Sequence, residues 1–199
     1  MELIVATKNN KKLQEIKDIL KTLKLRISSL ADCGITPRIV ESGKTFKENA
    51  VKKALKVARV TGALSLGEDS GLCVDALAGA PGIYSARFSG KNKDDAQNNA
   101  KLLQLLKGLP LKKRKAHYVC AVALADKDGL IGVTEGKCNG WIGFELKGRY
   151  GFGYDPIFVI PRFKKTFAEL GEQTKHKMSH RYHALEKVKK IIKKYIEKH

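Results

Sequence analysis

The sequence has no long hydrophobic run, and it begins without a recognisable leader. Apolar stretches such as Val119 to Ala125 are far shorter than the ~20 residues of a membrane-spanning helix. The first residues, Met-Glu-Leu-Ile-Val-Ala-Thr, lack the charged, apolar and small-residue segments of a secretion signal. We therefore expect a soluble protein that stays in the cytoplasm.

Cysteines are few and widely spaced. Cys33, Cys73, Cys120 and Cys138 form no C-x-x-C pair, and no histidine lies near them at the spacing of a zinc ligand. Each lies in an apolar or strand-like stretch. This pattern argues against a zinc site and predicts buried free thiols.

Acidic residues are outnumbered about two to one. The 199 residues include 39 Lys plus Arg against 20 Asp plus Glu, which gives a formal net charge of +19. Such an excess favours a polyanionic partner: nucleic acid, an anionic membrane surface or a phosphorylated small molecule. A basic nucleic-acid-binding protein is one alternative, although no zinc finger, RNA-recognition signature or basic arm is present. Because 31 of the 39 cations are lysines, lineage composition or thermal adaptation also explains the charge.

Strand and helix patterns alternate in the first half of the chain, and a hairpin pattern follows. Leu3 to Thr7 predicts a buried strand, and the apolar spacing from Leu13 to Leu23 predicts a helix after it. A capping box, Thr45-Phe46-Lys47-Glu48, predicts a second helix that ends near Thr61-Gly62. Further patterns predict helices at 94–106 and 184–195, strands at 26–30, 64–67, 72–74 and 157–160, and an antiparallel pair at 118–124 and 130–133.

This order of elements predicts an α/β fold. Its core would be a twisted mixed β-sheet flanked by helices, with two lobes and a groove between them. We expect residues 1–199 to form a single domain, since no linker, repeat or low-complexity segment interrupts the chain.

Three polar residues follow the first predicted strand. Thr7, Asn9 and Lys12 supply a hydroxyl, an amide and an ammonium beside a helix N-terminus, where free N–H groups attract anions. These groups suit phosphate, although the turn lacks the glycine pattern of a P-loop or a dinucleotide fold. An ordinary polar turn with a surface lysine is the alternative.

The sparse acids Glu41, Glu68 and Asp69 lie beside small, turn-forming residues. Isolated carboxylates of this kind suit Mg²⁺, which one or two carboxylates and substrate phosphates hold while it keeps several waters. We expect Asp69 to be rigidly held, because short strands flank the Glu68-Asp69-Ser70-Gly71 segment on both sides. For Glu68 we expect an ordinary turn position that caps a helix or meets solvent.

Two later segments also carry potential binding groups. Gly151-Phe152-Gly153-Tyr154-Asp155-Pro156 combines close backbone approach with aromatic faces, which suits a planar ligand such as a purine. The alternatives are core packing or turn chemistry.

The run from Lys175 to Arg181 precedes the last helix, where His180 and Arg181 could donate hydrogen bonds to an anion or a carbonyl oxygen. Its alternative is a solvated basic face.

Taken in this order, the motifs carry a family resemblance. The chain resembles the inosine triphosphate pyrophosphatase family, also described as dITP/XTP pyrophosphatases, over essentially its whole length. The residues that carry the resemblance are Thr7-x-Asn9-x-x-Lys12, Glu41-x-Gly43-x-Thr45-Phe46-x-x-Asn49-Ala50, Asp69-Ser70-Gly71-Leu72, Gly79-x-Pro81-Gly82-x-Tyr84-Ser85-x-Arg87, Gly151-Phe152-Gly153-Tyr154-Asp155-Pro156 and Ser179-His180-Arg181.

The resemblance implies a homodimeric, Mg²⁺-dependent enzyme with a nucleotide in the groove. It implies cleavage of ITP, dITP and XTP between the α- and β-phosphates, which yields the monophosphate and pyrophosphate and removes deaminated purines from the nucleotide pool. A pyrophosphatase for other modified or pyrimidine nucleotides is the nearest alternative.

The resemblance also assigns a role to each matched position. Asp69 would be the general base, Glu41 and Asp69 would bind Mg²⁺, and Ser70 would contact the substrate. Further substrate contacts would come from the phosphate loop, the base and sugar pocket and the C-terminal run: Thr7, Lys8, Asn9, Asn10, Lys11 and Lys12; Phe152, Gly153, Tyr154 and Asp155; and Lys175, His180 and Arg181.

Overall fold

The structure is a computed structural model that describes residues 1–34, 37 and 39–198. Its helices are α1 (Asn10–Leu20), α2 (Phe46–Thr61), α3 (Asp95–Leu105), α4 (Phe167–Leu170), α5 (Glu172–Lys175) and α6 (His180–Ile196). Its strands are β1 (Glu2–Val5), β2 (Arg26–Ser29), β3 (Leu64–Val74), β4 (Lys115–Asp126), β5 (Gly129–Ile142), β6 (Phe158–Ile160) and β7 (Lys165–Thr166). Among the described residues, no helix combines the length and apolar content that a bilayer-spanning segment needs.

The strands described form one sheet in the order β2-β1-β3-β4-β5-β6-β7. Strand β1 pairs in parallel with β2 and β3, whereas β6 pairs antiparallel with β5 and β7. Only two residues join the neighbouring strands β4 and β5, which is the connection of an antiparallel hairpin. The prediction of a mixed sheet in an α/β fold is confirmed.

The chain divides into two compact units, in keeping with the prediction of two lobes; the groove stays a prediction. The first unit contains residues 1–69, 120–136 and those from 180 onward. The second contains residues 70–119 and 137–179.

The core of the first unit follows the two-residue period of strand β4. Cys120, Val122 and Leu124 lie in a cluster with the apolar residues of α1 and α6. The alternate residues of the strand, three alanines, lie in a second cluster with three alanines of α2. Since successive side chains of a strand point to opposite faces, helices cover both faces of the sheet in this unit. The alanines concerned are Ala50, Ala54, Ala58, Ala121, Ala123 and Ala125.

Aromatic side chains dominate the core of the second unit. The Tyr118 and Phe158 ring centroids are 4.6 Å apart, and the Phe158 ring stacks on that of Phe167 at 5.4 Å. Leu102 of α3 and Leu106, the residue directly after that helix, belong to the same cluster. Burying such large side chains supplies most of the favourable free energy of a small core.

Several sequence predictions need correction. The two short strands expected at 64–67 and 72–74 are one continuous strand, β3, so Glu68 and Asp69 lie within a strand and not in a turn. The Thr45 side chain caps α2 as expected, but the Glu48 carboxylate accepts from the Lys44 amide and not from Thr45. Helices α4 and α5 and strand β7 were not predicted, because each spans only two to four residues.

The cysteine prediction is half right. All four cysteines lie within the described residues and are free thiols. Cys120 and Cys138 are buried as expected, whereas Cys33 and Cys73 are half-buried.

Glycine at position 136 allows helix α6 to lie directly against strand β5. A Cβ atom there would lie 2.2 Å from the His180 carbonyl oxygen and 2.4 Å from the Ala184 amide nitrogen. Backbone atoms of a packed helix cannot retreat as the end of a flexible side chain can. At Gly132, on the same strand, an added Cβ would meet the Ile191 side chain, with Cδ1 at 3.0 Å and Cγ2 at 3.7 Å, and no backbone atom.

We therefore predict that Gly136→Ala lowers the free energy of unfolding by about 2 kcal/mol or more, because overpacking forces the helix away from the strand. Urea denaturation measures the effect. The matched control Gly132→Ala should change stability by less than about 1 kcal/mol. Equal effects of the two substitutions would contradict this account of the packing.

Candidate active site

Asp69 lies within β3 and is held at both carboxylate oxygens by helix α2. The residue is 8% exposed. The Asn49 side-chain amide donates to Oδ2 at 3.2 Å, and the Lys53 ammonium donates to Oδ1 at 3.0 Å. The carboxylate orientation is therefore fixed by two donors from one helix.

The placement of these donors follows from local sequence. Asn49 and Lys53 are four residues apart, so they lie on the same face of α2. Gly67 lets this face approach β3 closely, because a Cβ there would lie 2.1 Å from the Ala50 carbonyl oxygen. The Gly43 amide donates to Asn49 Oδ1 at 2.7 Å, which leaves the Asn49 amide group directed at the carboxylate.

Glu41 joins the same cluster through Lys53. Its Oε1 atom lies 2.6 Å from the Lys53 ammonium, so carboxylates from two separate segments converge on one cation. Among the described residues there is no group of three or more side chains suited to hold a metal. Two convergent carboxylates fit Mg²⁺, since this ion takes hard oxygen ligands and completes its shell with waters and substrate phosphates. The donor set at Glu41 and Asp69 therefore suits the ion that the resemblance implies.

The electrostatics of Asp69 suit a base. Burial raises the pKa of its carboxyl above the ordinary value, and Glu68 adds to the rise while Lys53 opposes it. Burial also opposes the charge of Lys53, but Asp69 and Glu41 together raise its pKa, so the ammonium stays charged. A carboxylate with a raised pKa holds a proton more readily than an exposed one.

Glu68 organises a second group of charges in the same unit. It is 2% exposed, and the expectation of a solvent-facing turn residue is wrong. Its Oε1 accepts from Arg181 Nη2 at 2.9 Å and its Oε2 accepts from Lys12 Nζ at 2.9 Å. Arg181 also pairs with the buried Glu15 through Nη1. Because both carboxylates are buried, the two cations are needed to offset their charge.

Cys120 contacts this network. Its thiol lies 3.4 Å from Glu68 Oε1. Burial and the neighbouring Glu68 raise the pKa of Cys120 well above its ordinary value, so the thiol stays protonated and donates. The buried cysteine therefore supports the orientation of Glu68.

The loop from Thr7 to Lys12 forms the start of helix α1. Asn9 is the N-cap residue, and its Oδ1 accepts from the Lys12 amide at 3.1 Å. Thr7 Oγ1 in turn accepts from the Asn9 amide at 3.1 Å. The other residues of the loop are exposed: Lys8, Asn10 and Lys11. Thr7, Asn9 and Lys12 therefore lie at the N-terminus of α1, where the sequence placed them, and phosphate binding there stays a prediction.

Asp155 is the centre of the candidate site residues in the second unit. The residue is 1% exposed, and its carboxylate accepts from the Phe152 amide at 2.9 Å and from Lys175 Nζ at 2.7 Å. The Lys175 ammonium also lies 4.4 Å from the centre of the Phe152 ring. Gly151 is required here, because a Cβ would lie 2.1 Å from Asp155 Oδ2. Asp155 therefore orients Phe152 and Lys175 from within the protein.

The neighbouring residues of this loop are equally constrained. The Gly153 amide donates to Asp95 Oδ2, and its carbonyl oxygen accepts from Asn99 Nδ2, each at 2.8 Å. Tyr154 is buried in the core, and its hydroxyl donates to the Ser85 carbonyl oxygen at 2.8 Å. Helix α3, which supplies Asp95 and Asn99, thus holds the loop in one conformation.

The structure groups most of the predicted residues within their own unit. The first unit brings Lys12, Glu41, Asp69 and Arg181 into two adjoining charge clusters. The second unit joins Phe152, Gly153, Asp155 and Lys175 and also contains Ser70. Lys175, Ser179, His180 and Arg181 are buried, so the alternative of a solvated run does not apply to them.

Sequence reasoning missed four residues of these clusters: Glu15, Asn49 and Lys53 were given no role, and Glu68 was expected in a turn. Asn49 and Lys53 were detectable, because they are four residues apart in an amphipathic helix that begins at Phe46, a few residues after Glu41 and Gly43. A lysine on the inner face of a helix is a signal of a buried partner. Glu15 gave no comparable signal, since its partners lie on distant segments of the chain.

Comparison with known proteins confirms the resemblance. A model described as the Ham1 family matches residues 3–191. The chain is 49% identical over 192 residues to a dITP/XTP pyrophosphatase of Desulforamulus reducens, with 96% of each chain covered. A HAM1 protein from Coxiella burnetii has a TM-score of 0.88 at 37% identity, with 98% of this chain and 99% of that chain covered. The Ham1 protein of Staphylococcus aureus has a TM-score of 0.87 at 34% identity, with 98% and 100% covered. This chain therefore belongs to the Ham1 family.

Proposed function

We propose that the chain is a Mg²⁺-dependent nucleoside triphosphate pyrophosphatase that acts on ITP, dITP and XTP. The observation that carries the proposal is Asp69, a carboxylate held at both oxygens beside Glu41. The relatives named dITP/XTP pyrophosphatase support the substrate class. Its biological role would be to remove deaminated purines from the nucleotide pool.

In this proposal Asp69 acts as general base. A water molecule attacks the α-phosphorus, the bond from that phosphorus to the bridging oxygen breaks, and pyrophosphate leaves. The proton of the water passes to the Asp69 carboxylate, which lies fixed within β3. Asn49 keeps the carboxylate oriented through Oδ2.

Glu41 and Asp69 would hold the Mg²⁺ ion. When bound, the ion supplies positive charge for the phosphate oxygens and helps to orient the reacting groups. Glu41 is partly exposed, with 39% of its side chain accessible, so an incoming ion can reach the pair from the Glu41 side. The same Asp69 would thus combine metal binding with proton acceptance.

The phosphate-binding role belongs to the residues from Thr7 to Lys12. The helix N-terminus of α1, with its partial positive charge, lies beside the cations Lys8, Lys11 and Lys12. Glu68 holds the Lys12 ammonium in place, and Arg181 offsets the charge of Glu68. We propose that these groups, with His180 and Arg181 at the start of α6, bind the triphosphate or a base carbonyl.

The residues Phe152 to Asp155 would recognise the base and sugar. The Phe152 ring is half-buried and carries the Lys175 ammonium against it. Donors that pair with a 6-oxo group would be left without an acceptor by adenine, which carries an amino group there. This mismatch accounts for selection of ITP, dITP and XTP over ATP.

A homodimer and a cytoplasmic location are further parts of the proposal, and both derive from the family resemblance and the sequence.

A panel of nucleotides tests the proposed substrate class. We predict Mg²⁺-dependent release of pyrophosphate from ITP, dITP and XTP, with kcat/KM at least about tenfold higher than for ATP, which lacks the 6-oxo acceptor. Lower rates with GTP and dTTP are expected from the names of the relatives alone. A coupled pyrophosphate assay measures each rate. Equal rates for all the nucleotides, or preference for dTTP, would favour the alternative of a pyrophosphatase for other nucleotides.

Replacement of the base tests the proposed mechanism. Asp69→Asn should lower kcat on ITP by about 100-fold or more, because the amide cannot accept the proton. The amide keeps the shape of the side chain and Lys53 stays paired with Glu41, so the thermal unfolding midpoint should stay within a few degrees of the wild-type value. The control Asp128→Asn, at the exposed tip of the β4–β5 hairpin, should retain activity. A fully active Asp69→Asn variant would refute the assignment.

A further inference from the structure

Lys53 has no role in the proposed reaction, yet its environment is the most specialised of any lysine on α2. The residue is 7% exposed. Its ammonium donates to Glu41 Oε1 at 2.6 Å, to Asp69 Oδ1 at 3.0 Å and to the Glu68 carbonyl oxygen at 3.0 Å. An ammonium has three protons, and three acceptors surround it here.

The other lysines of α2 show that burial is not a general property of this helix. Lys47, Lys52 and Lys56 are all exposed. Lys53 differs because it lies on the face that contacts β3, where Gly67 allows close approach. Burying an unpaired ammonium destabilises the folded protein, so the buried Lys53 depends on the two carboxylates with which it pairs.

These two carboxylates are the ones proposed to hold Mg²⁺. Glu41, Asp69 and the Lys53 ammonium together carry a net charge of −1. Lys53 already pairs with one oxygen of each carboxylate. A divalent cation is therefore attracted less strongly than it would be by two bare carboxylates.

We propose that Lys53 is an internal counter-cation that holds Glu41 and Asp69 together in the metal-free protein and weakens their binding of a free divalent cation. Strong binding then requires the additional oxygens of nucleotide phosphates, so metal and nucleotide are captured together. The proposal rests on the proposed function only in taking Glu41 and Asp69 as the metal ligands.

The test compares Mg²⁺ binding by variants of two lysines in the absence of nucleotide. Lys53→Met removes the ammonium but keeps the length of the side chain, and Lys56→Met is a matched control that removes one exposed charge from the same helix. Calorimetric titration with MgCl₂ should show about tenfold or more tighter binding by Lys53→Met than by wild type or Lys56→Met. Equal affinities in the three proteins would overturn the proposal.

Thermal unfolding gives a second readout. Without Mg²⁺, Lys53→Met should unfold several degrees below Lys56→Met, because two carboxylates are left facing each other. Millimolar Mg²⁺ should raise the unfolding midpoint of Lys53→Met more than that of the control. An identical response of the two variants to Mg²⁺ would count against the counter-cation.

If Lys53→Met fails to fold, the wild-type protein decides the question by NMR of lysine labelled with ¹⁵N at Nζ. The Lys53 ammonium resonance should shift as MgCl₂ is added, and a resonance unchanged at saturating Mg²⁺ would overturn the proposal. Failure of the proposed function has a different signature: no nucleotide is hydrolysed by wild type, while Lys53→Met still binds Mg²⁺ more tightly.

Discussion

The close approach of helix α2 to strand β3 is the constraint on which the candidate active site depends. It requires glycine at position 67 of the strand, where any side chain would collide with the helix backbone, and the alanines of the same helix cluster with those of the neighbouring strand β4. The short distance allows Asn49 and Lys53 to reach the Asp69 carboxylate directly. Packing of small residues thus determines the geometry of a charged site.

Charge compensation explains why so many ionisable groups tolerate burial in the first unit. Arg181 lies between Glu15 and Glu68, and Lys12 pairs with Glu68 from the start of α1. Although burial opposes the charge of Arg181, the two carboxylates raise its pKa, so the guanidinium stays charged. Breaking one pair would strand a buried charge, which is costly, so the network holds α1, β3 and α6 in fixed positions. The large excess of exposed lysine takes no part in it.

Most of the elements and the order of the motifs were predictable from the sequence, because long amphipathic helices and apolar strands leave a clear period. Asp69, Asp155 and Lys175 lie in segments that residue chemistry singled out, the family resemblance gave each a role, and the structure shows how each is held. The continuity of β3 was not predictable, since Glu68, Asp69, Ser70 and Gly71 have turn-like character, and only pairing with neighbouring strands and burial of both acids keep them extended. Partners distant in sequence, such as Glu15 for Arg181, leave no local signal.

The central claim is that water activated at Asp69 attacks the α-phosphorus and expels pyrophosphate. Hydrolysis of ITP in ¹⁸O-labelled water, with mass spectrometry of the products, tests it most directly. The account predicts one ¹⁸O atom in the phosphate of the inosine monophosphate and none in the pyrophosphate. Label in pyrophosphate, or release of labelled orthophosphate, would place the attack at another phosphorus and contradict the account.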